Sequence, residues 1–393
     1  MDWFNDILTT LVFVMVFLPS LFLFLELTFG LIHSNVRREE GEVKPYRIII
    51  PAHNEAEIIK PTLAKLKAEL GCLSHVVVIA DNCTDDTADL AREQGAFVVE
   101  RHHATLKGKG YALDAGIQAV SDSAPDTVVV FDADCEFTEG SCKQLILKSQ
   151  RTDSVVQSLY LMKAPIQAPV KTRIAEFAWL VKNLVRPLGL SKFGINCQLQ
   201  GSGMAFPWRV FEKVSFASGS IVEDLELGIK LNNLDENITF DVSSQVISFF
   251  PSSGQGSETQ RMRWEHGHMA SIAILPSAML SALKRGRLKS CFTALDAMIP
   301  PTVLWLMLVV FTNLVTACLS IFLEIDSFLV AVLSLTLILL GLALAWLRYG
   351  LSIITPQDIA SVIVYIFSKF DIYKKFLGNR QKDWVRTDRG NKS

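Results

Sequence analysis

The chain has 393 residues, 50% of them hydrophobic, with a formal net charge of −2 and a positive mean hydropathy. That length holds one large domain or two, the hydropathy is high for a purely soluble protein, and the charge gives no global reason for nucleic-acid binding. Seven cysteines (Cys72, Cys83, Cys135, Cys142, Cys197, Cys291, Cys318) include no CxxC pair and no histidine partners at zinc-finger spacing, so they read as reduced thiols on a cytosolic domain.

In chain order, residues 7–32 form an apolar run long enough to cross a bilayer, interrupted by Pro19 and Glu26. A signal peptide does not fit, because the run is too long and Asp2 and Asp6 stand where a basic region would. Glu26 reads as an interfacial acid or as one packed against another helix, and an intramembrane acid also carries a functional possibility. Residues 303–323 and 328–347 read as two more spans, joined by the acidic link Glu324, Ile325 and Asp326. Arg37 and Arg38 follow the first span, Lys284, Arg285, Arg287 and Lys289 precede the second, and Arg348 follows the third. The positive-inside rule therefore predicts an outward amino terminus, with residues 33 to about 300 and the carboxyl tail in the cytoplasm.

Between the spans, 47–51, 76–80, 97–100 and 127–131 are short β-branched runs, and helical stretches begin near Glu55, Thr84 and Gly110. The second opens on the capping cluster Asn82, Cys83, Thr84, Asp85 and Asp86. This alternation predicts an α/β fold with a mostly parallel sheet covered on both faces. Stretches 269–288 and 361–376 read as amphipathic helices at the cytoplasmic interface, with core helices as the alternative.

Residues 127–136, TVVVFDADCE, carry a buried strand straight into Asp132 and Asp134, with Glu136 beyond. Carboxylates at a strand's carboxyl end sit where open α/β sheets bind ligands, and hard oxygens on a short tether suit Mg²⁺ or Mn²⁺ shared with phosphates. Alone, such a pair is more often a solvated turn. Two other strand ends, Pro51-Ala52-His53-Asn54-Glu55 and the stretch from Asp81 to Thr87, bring polar clusters to the same sheet edge. That rim fits a nucleotide, with Asp81 accepting hydrogen bonds from a base or ribose. Cys135 lies inside the acidic motif, where oxidation would disturb the site. Neither a dinucleotide fingerprint nor a P-loop is present; Lys107-Gly108-Lys109-Gly110 reads as a solvated turn or else a cationic lip for phosphate. Gly201-Ser202-Gly203 suits close backbone approach to a sugar or phosphate, or an ordinary tight turn. His266 and His268, two apart, do not share a helical face; one is expected to bind phosphate and the other to be structural.

In order and approximate spacing, PAHNE, DNCTDDT, GKGYAL, FDAD, GSGMAF, VEDLELG and QRMRW resemble the membrane-bound family 2 glycosyltransferases. That family has a GT-A fold and includes cellulose, hyaluronan and exopolysaccharide synthases and the ceramide glucosyltransferases. The resemblance covers roughly residues 45–270, and residues 382–387 resemble a tail of bacterial polysaccharide members. It implies donor contacts from Pro51, His53, Glu55, Asp81, Lys109 and Asp132, with Asp81 on the base. It implies Mn²⁺ or Mg²⁺ at Asp134 with Asp132, and a catalytic base at Asp224 beside Glu223, with Arg263 at the diphosphate. Gly201, Ser202, Gly203, Gln260 and Trp264 fall to the acceptor. Val222 stands where the family often has Thr. Elementary chemistry asks for the same parts, since sugar transfer needs a carboxylate to take the hydroxyl proton and a cation to neutralise the departing diphosphate.

The expected organisation is a transmembrane helix at 1–36, a cytoplasmic GT-A domain at 37–270 and an interfacial helix at 271–300. Two spans at 301–348 and an interfacial helix with a basic tail at 349–393 complete it. The expected enzyme is a multi-pass protein of the inner or plasma membrane that inverts configuration as it moves sugar from a nucleotide sugar, UDP-linked, to a lipid-linked or polysaccharide acceptor. Membrane lipids, further copies of the chain and export-complex subunits are its expected neighbours, and nucleic acid is not. A ceramide glucosyltransferase-like enzyme making single additions, or an inactive sugar-nucleotide-binding subunit, are the alternatives.

Overall fold

The computed structural model describes residues 2–32, 38–251, 254–322 and 326–378. Arg37, Glu324, Ile325 and the 382–387 tail lie outside them. The chain divides into two compact units, and the cut is not at the ends of one continuous block. Residues 34–165 and 196–267 build a sheet unit, whereas 166–195 group with the amino-terminal helix and residues 268–380. The stretch 37–270, continuous in sequence, is therefore interrupted in space. The interrupting segment is helical, Val170–Leu180 and Arg186–Lys192 about a π-helical turn, and supplies no strand to the sheet.

Among the described residues the sheet has eight strands: β1 Tyr46–Ala52, β2 Val76–Asp81, β3 Phe97–Arg101, β4 Thr127–Val130, β5 Glu136–Phe137, β6 Val155–Lys163, β7 Met204–Pro207 and β8 Ile238–Phe249. They lie in the order β3-β2-β1-β4-β7-β6-β8-β5. The pairings of β1 with β2, β1 with β4, β2 with β3 and β6 with β8 are parallel; those of β7 with β4 and β6, and of β5 with β8, are antiparallel. Every residue of β2 and β4 is buried, as apolar runs without alternation require when helices cover both faces. Ile49, Val77, Ile79, Val128, Val130, Leu113, Phe206 and Leu231 meet in the core on one of those faces.

The decisive reversal is at β7. Because β7 runs antiparallel to β4, with Val130 opposite Met204, the residues just before β7 lie beside those just after β4. Gly201-Ser202-Gly203 is thereby brought to the aspartate motif.

In the helical unit, Asn5–Gly30, Thr302–Ile321 and Ser327–Gly350 are long and apolar enough to cross a membrane. The first contains a π-helical turn, Phe13–Phe17, just ahead of Pro19. It packs on the Arg186–Lys192 helix through two glycines: a Cβ on Gly30 would fall 2.0 Å from Val185 O, and one on Gly189 2.0 Å from Glu26 O. Glu26 is buried and accepts from Arg186 Nε at 2.8 Å, while Arg186 Nη2 also pairs with Asp296. Of the two readings of Glu26, the helix-packed one describes it.

Candidate active site

The ends of β1 and β2 are sewn together by side chains of the turns that follow them. Asn54 and Asn82 take left-handed conformations, φ 54° and 52°, which asparagine tolerates better than most residues. Asn54 Oδ1 accepts the Thr84 N–H at 2.7 Å, and Glu55 N–H donates to Thr87 Oγ1 at 2.8 Å. The cluster after β2 does more than cap its own helix: Asp85 Oδ1 accepts the Thr87 N–H, and Oδ2 accepts the Ala56 N–H that opens helix Ala56–Leu70. His53 Nδ1 hydrogen-bonds Asp81 O at 2.7 Å. Pro51 lies within β1 itself.

Asp81 ends β2 and is buried, with Oδ1 accepting from Arg101 Nη1 at 2.6 Å and Asn82 Nδ2 at 3.0 Å. Arg101 also lies over the Tyr111 ring, 5.6 Å from its centre. The sequence did not single out Arg101; its signal is only its place at the end of β3, beside Asp81 in register.

The centre of the site is Lys109. As the first residue of helix Lys109–Ala119 it is no solvated turn. Its ammonium donates to Gly201 O at 2.8 Å, lies 2.6 Å from Asp132 Oδ1 and stands 3.6 Å from Glu223 Oε1. The helix start is fixed from behind, since a Cβ on Gly110 would meet Ser218 O at 2.6 Å and Phe216 O at 2.7 Å. Burial opposes the charge on Lys109, yet Asp132 and Glu223 outweigh it and raise its pKa.

Gly201-Ser202-Gly203 is buried and holds these groups in place. Ser202 Oγ accepts the Asp132 N–H at 3.0 Å, and Gln157 Nε2 donates to Ser202 O at 3.0 Å. Gly201, at φ +91°, would present a Cβ 3.3 Å from Asp224 Oδ2 and 3.6 Å from Lys109 Nζ. Gly203, at φ +65°, would drive a Cβ within 2.0 Å of Ser158 Oγ. Positive φ and crowding together demand glycine at both positions.

Two acid pairs face this lysine. After β4, ligand atoms of Asp132, Asp134 and Cys135 lie within 4.8 Å of one another. Burial pushes the Cys135 thiol up, with Asp134 and then Asp132 adding to the rise, and its Sγ–H points to Asp134 Oδ1 at 3.6 Å. The two carboxylates are hard oxygen donors, a set that fits Mg²⁺ or Mn²⁺ shared with phosphate oxygens. The raised thiol pKa makes Cys135 a poor target for oxidation, which acts on thiolates.

The second pair, Glu223 and Asp224, opens helix Glu223–Asn233, where carboxylates suit the helix dipole. Burial pushes the Glu223 carboxyl up to about 7 against the pull of Lys109, and Asp224 beside it adds to the rise. Val222 before them is buried and packs on helix Gly254–Ile272: a Cβ on Gly267 would fall 2.3 Å from Val222 Cγ1. On that helix Gln260, Arg263 and Trp264 share one face by their three- and four-residue spacing. Gln260 is buried, and no group among the described residues donates to its Oε1. Arg263 and Trp264 are half-buried.

The histidines part company. His266 is fully buried; His268 belongs to the helical unit, where its Nε2 bonds Ala297 O at 2.9 Å. Burial, with Lys182 nearby, pushes His268 down to about 4, so it is neutral at neutral pH and unsuited to phosphate.

Two family models match the chain: glycosyl transferase family 2 over residues 47–187, and glycosyl transferase family group 2 over residues 128–349. Among curated proteins, the chain is 24% identical over 271 residues to "Probable glycosyltransferase YdaM" of Bacillus subtilis, covering 64% of this chain and 61% of that one. It is 25% identical over 232 residues to 4,4'-diaponeurosporenoate glycosyltransferase of Staphylococcus haemolyticus, covering 54% and 58%. The chain thus spans about 60% of the length of these relatives. Among solved structures, the mannosyltransferase PcManGT of Pyrobaculum calidifontis, in complex with GDP-Man and Mn²⁺, superposes with a TM-score of 0.57 at 14% identity. The match covers 96% of this chain and all of that one, a likeness of fold. With one family model spanning more than half of its length, the chain belongs to glycosyl transferase family group 2.

Proposed function

We propose that the chain is a membrane-anchored glycosyltransferase that moves a sugar from a nucleoside diphosphate sugar, UDP-linked, to a lipid-linked or polysaccharide acceptor with inversion. The observation that carries this reading is the meeting of the two acid pairs at Lys109 and Gly201, where Asp224 Oδ2 and Lys109 Nζ both approach the same glycine. Sugar transfer needs a base for the hydroxyl proton and positive charge for the departing diphosphate, and the conjunction offers a carboxylate for the first and metal-suited carboxylates for the second.

In this mechanism Asp81, oriented by Arg101 and Asn82, receives the base, with Pro51, His53 and Glu55 on the same rim. Asp134 and Asp132 would hold Mn²⁺ or Mg²⁺, which when bound supplies positive charge to the diphosphate. Asp224 takes the proton of the attacking hydroxyl. Arg263 adds its charge to the leaving group, and Glu223 keeps Lys109 near both. Gln260 Oε1, a buried acceptor in need of a donor, suits an acceptor hydroxyl, and Trp264 beside it offers a stacking face. PcManGT was solved with a nucleotide sugar and Mn²⁺, in keeping with this assignment. Three apolar helices among the described residues, with basic residues in the sequence at 37–38, 284–289 and 348, support a cytoplasmic sheet unit in an inner or plasma membrane. The QxxRW residues, Gln260, Arg263 and Trp264, support an extracellular polysaccharide product.

One observation favours a second reading, transfer of a single sugar to a lipid: the three spans among the described residues are little material for a polymer channel. The size of the product distinguishes the two. The base assignment is tested with Asp224→Asn. General-base help is worth ~10²- to 10⁴-fold, so turnover falls by that factor while UDP binding, measured by calorimetry, stays within about twofold. Near-normal turnover removes Asp224 from its role.

A further inference from the structure

The position of Lys109 is costly unless it serves a purpose. A cation at a helix amino terminus opposes the helix dipole, and a largely buried ammonium needs charged partners to stay there. Lys109 has both disadvantages, and the chain fixes it in place all the same: Gly110 packs on the 216–218 backbone, Gly201 O accepts its proton, and Asp132 Oδ1 lies 2.6 Å away. Asp132 is one of the two carboxylates suited to a divalent ion, so its Oδ1 is already taken by a cation belonging to the protein. A second carboxylate, Glu223, waits 3.6 Å from the same ammonium.

We infer that Lys109 is a resident cation in the seat of the divalent metal. It neutralises Asp132 while the donor is absent and moves onto Glu223 when metal and diphosphate arrive together. The purpose is coupling. Four carboxyls, Asp132, Asp134, Glu223 and Asp224, surround the site, and without a cation they would repel one another or capture metal indiscriminately. With Lys109 on Asp132, an arriving metal meets a positive charge already seated on one of its two carboxylates. The donor's diphosphate brings the negative charge that draws both the metal and the ammonium into their working places. Metal and donor then bind with positive, reciprocal linkage, and Lys109 acts as a positioning residue. This inference rests on the metal-dependent reading of the site above.

The test is Mn²⁺ binding by the full-length chain in nanodiscs, read from the loss of the free-ion electron paramagnetic resonance signal, with and without UDP. In the wild type, UDP should tighten Mn²⁺ by about tenfold or more. Lys109→Met should bind Mn²⁺ without UDP at least about tenfold tighter than the wild type and lose most of the UDP effect. Lys109→Arg, which keeps the charge, should keep the wild-type pattern, an outcome that a merely structural role would not produce. A second variant covers the case in which Lys109→Met does not fold: Glu223→Gln removes the receiving carboxylate, so Mn²⁺ binding in the presence of UDP should weaken several-fold. Lys109→Met binding no tighter than wild type, or Glu223→Gln leaving the UDP-dependent affinity unchanged, overturns the inference alone. Asp134→Asn distinguishes the deeper failure: if it leaves Mn²⁺ binding intact, the metal assignment falls and the inference with it.

Discussion

Glu223→Gln tests the electrostatics of the site through stability. Glu223 is largely buried, its side chain 15% exposed, and its carboxyl is pushed from an ordinary 4.5 to about 7. Below about pH 4.5 the folded and unfolded chains both hold this proton, and the group's contribution is fully present. As pH rises toward 7 the unfolded chain has released the proton and the folded one has not, so stability falls and the contribution is lost above about 7. The distance from 4.5 to about 7 is worth about 3 kcal/mol, and the residual solvent exposure reduces this to about 2 kcal/mol. Glutamine carries no such penalty. For a folding unit of this size about 2 kcal/mol is a Tm shift of about 4–8 °C. The assay is thermal unfolding of metal-stripped wild type and variant from about pH 4 to about pH 8.5. The variant should match the wild type at the acid end and gain about 4–8 °C at the alkaline end. An equal gap at both ends, or one that shrinks as pH rises, refutes the account of how Glu223 and Lys109 share their burial.

Two further predictions concern contacts that no motif announces. Gly267→Ala would put a Cβ 2.3 Å from Val222 Cγ1 and displace the acid pair that follows Val222; since ~1 Å of misplacement costs up to ~10²-fold, kcat should fall ~10- to 10²-fold. Val222→Ala in the same chain should restore most of it, and a double variant no better than the single one counts against the packing argument. Arg186→Met leaves Glu26 and Asp296 buried without their shared partner, a loss of ~3–5 kcal/mol that should appear as a lowered Tm in detergent, partly recovered by adding Glu26→Gln and Asp296→Asn. An unchanged Tm would show that the triad does not hold these helices together.

Much of the sheet unit was legible because its signals are local. β1, β2 and β4 are short β-branched runs, and their ends carry the polar residues that strand alternation places on one edge. Asp132 and Asp134 stood out by residue type and spacing, and Asp224 through the family resemblance. What escaped depends on contacts between distant parts of the chain. Lys109 reads from the residues as a solvated turn or a cationic lip, and as a donor contact only by the resemblance; its hold on Gly201 O exists only once β7 folds back along β4. Gly203 is glycine because of Ser158 and Val246, and Val222 is constrained by Gly267; neither partner can be found by periodicity. The segment 166–195 carries apolar helical patterning that fits a soluble core as well as a membrane-side helix pair, so its departure from the sheet unit had no sequence signature. Arg186 became meaningful only beside Glu26 and Asp296, 160 and 110 residues away.

The most direct test of the central claim is transfer itself. The full-length chain, embedded in membrane, is incubated with a panel of radiolabelled nucleotide sugars, with EDTA or with Mn²⁺ or Mg²⁺, and label is scored in lipid extract and in polymer. The account predicts transfer from a UDP-sugar that EDTA abolishes and Mn²⁺ or Mg²⁺ restores. Absence of transfer from every nucleotide sugar, with either metal present, would contradict it.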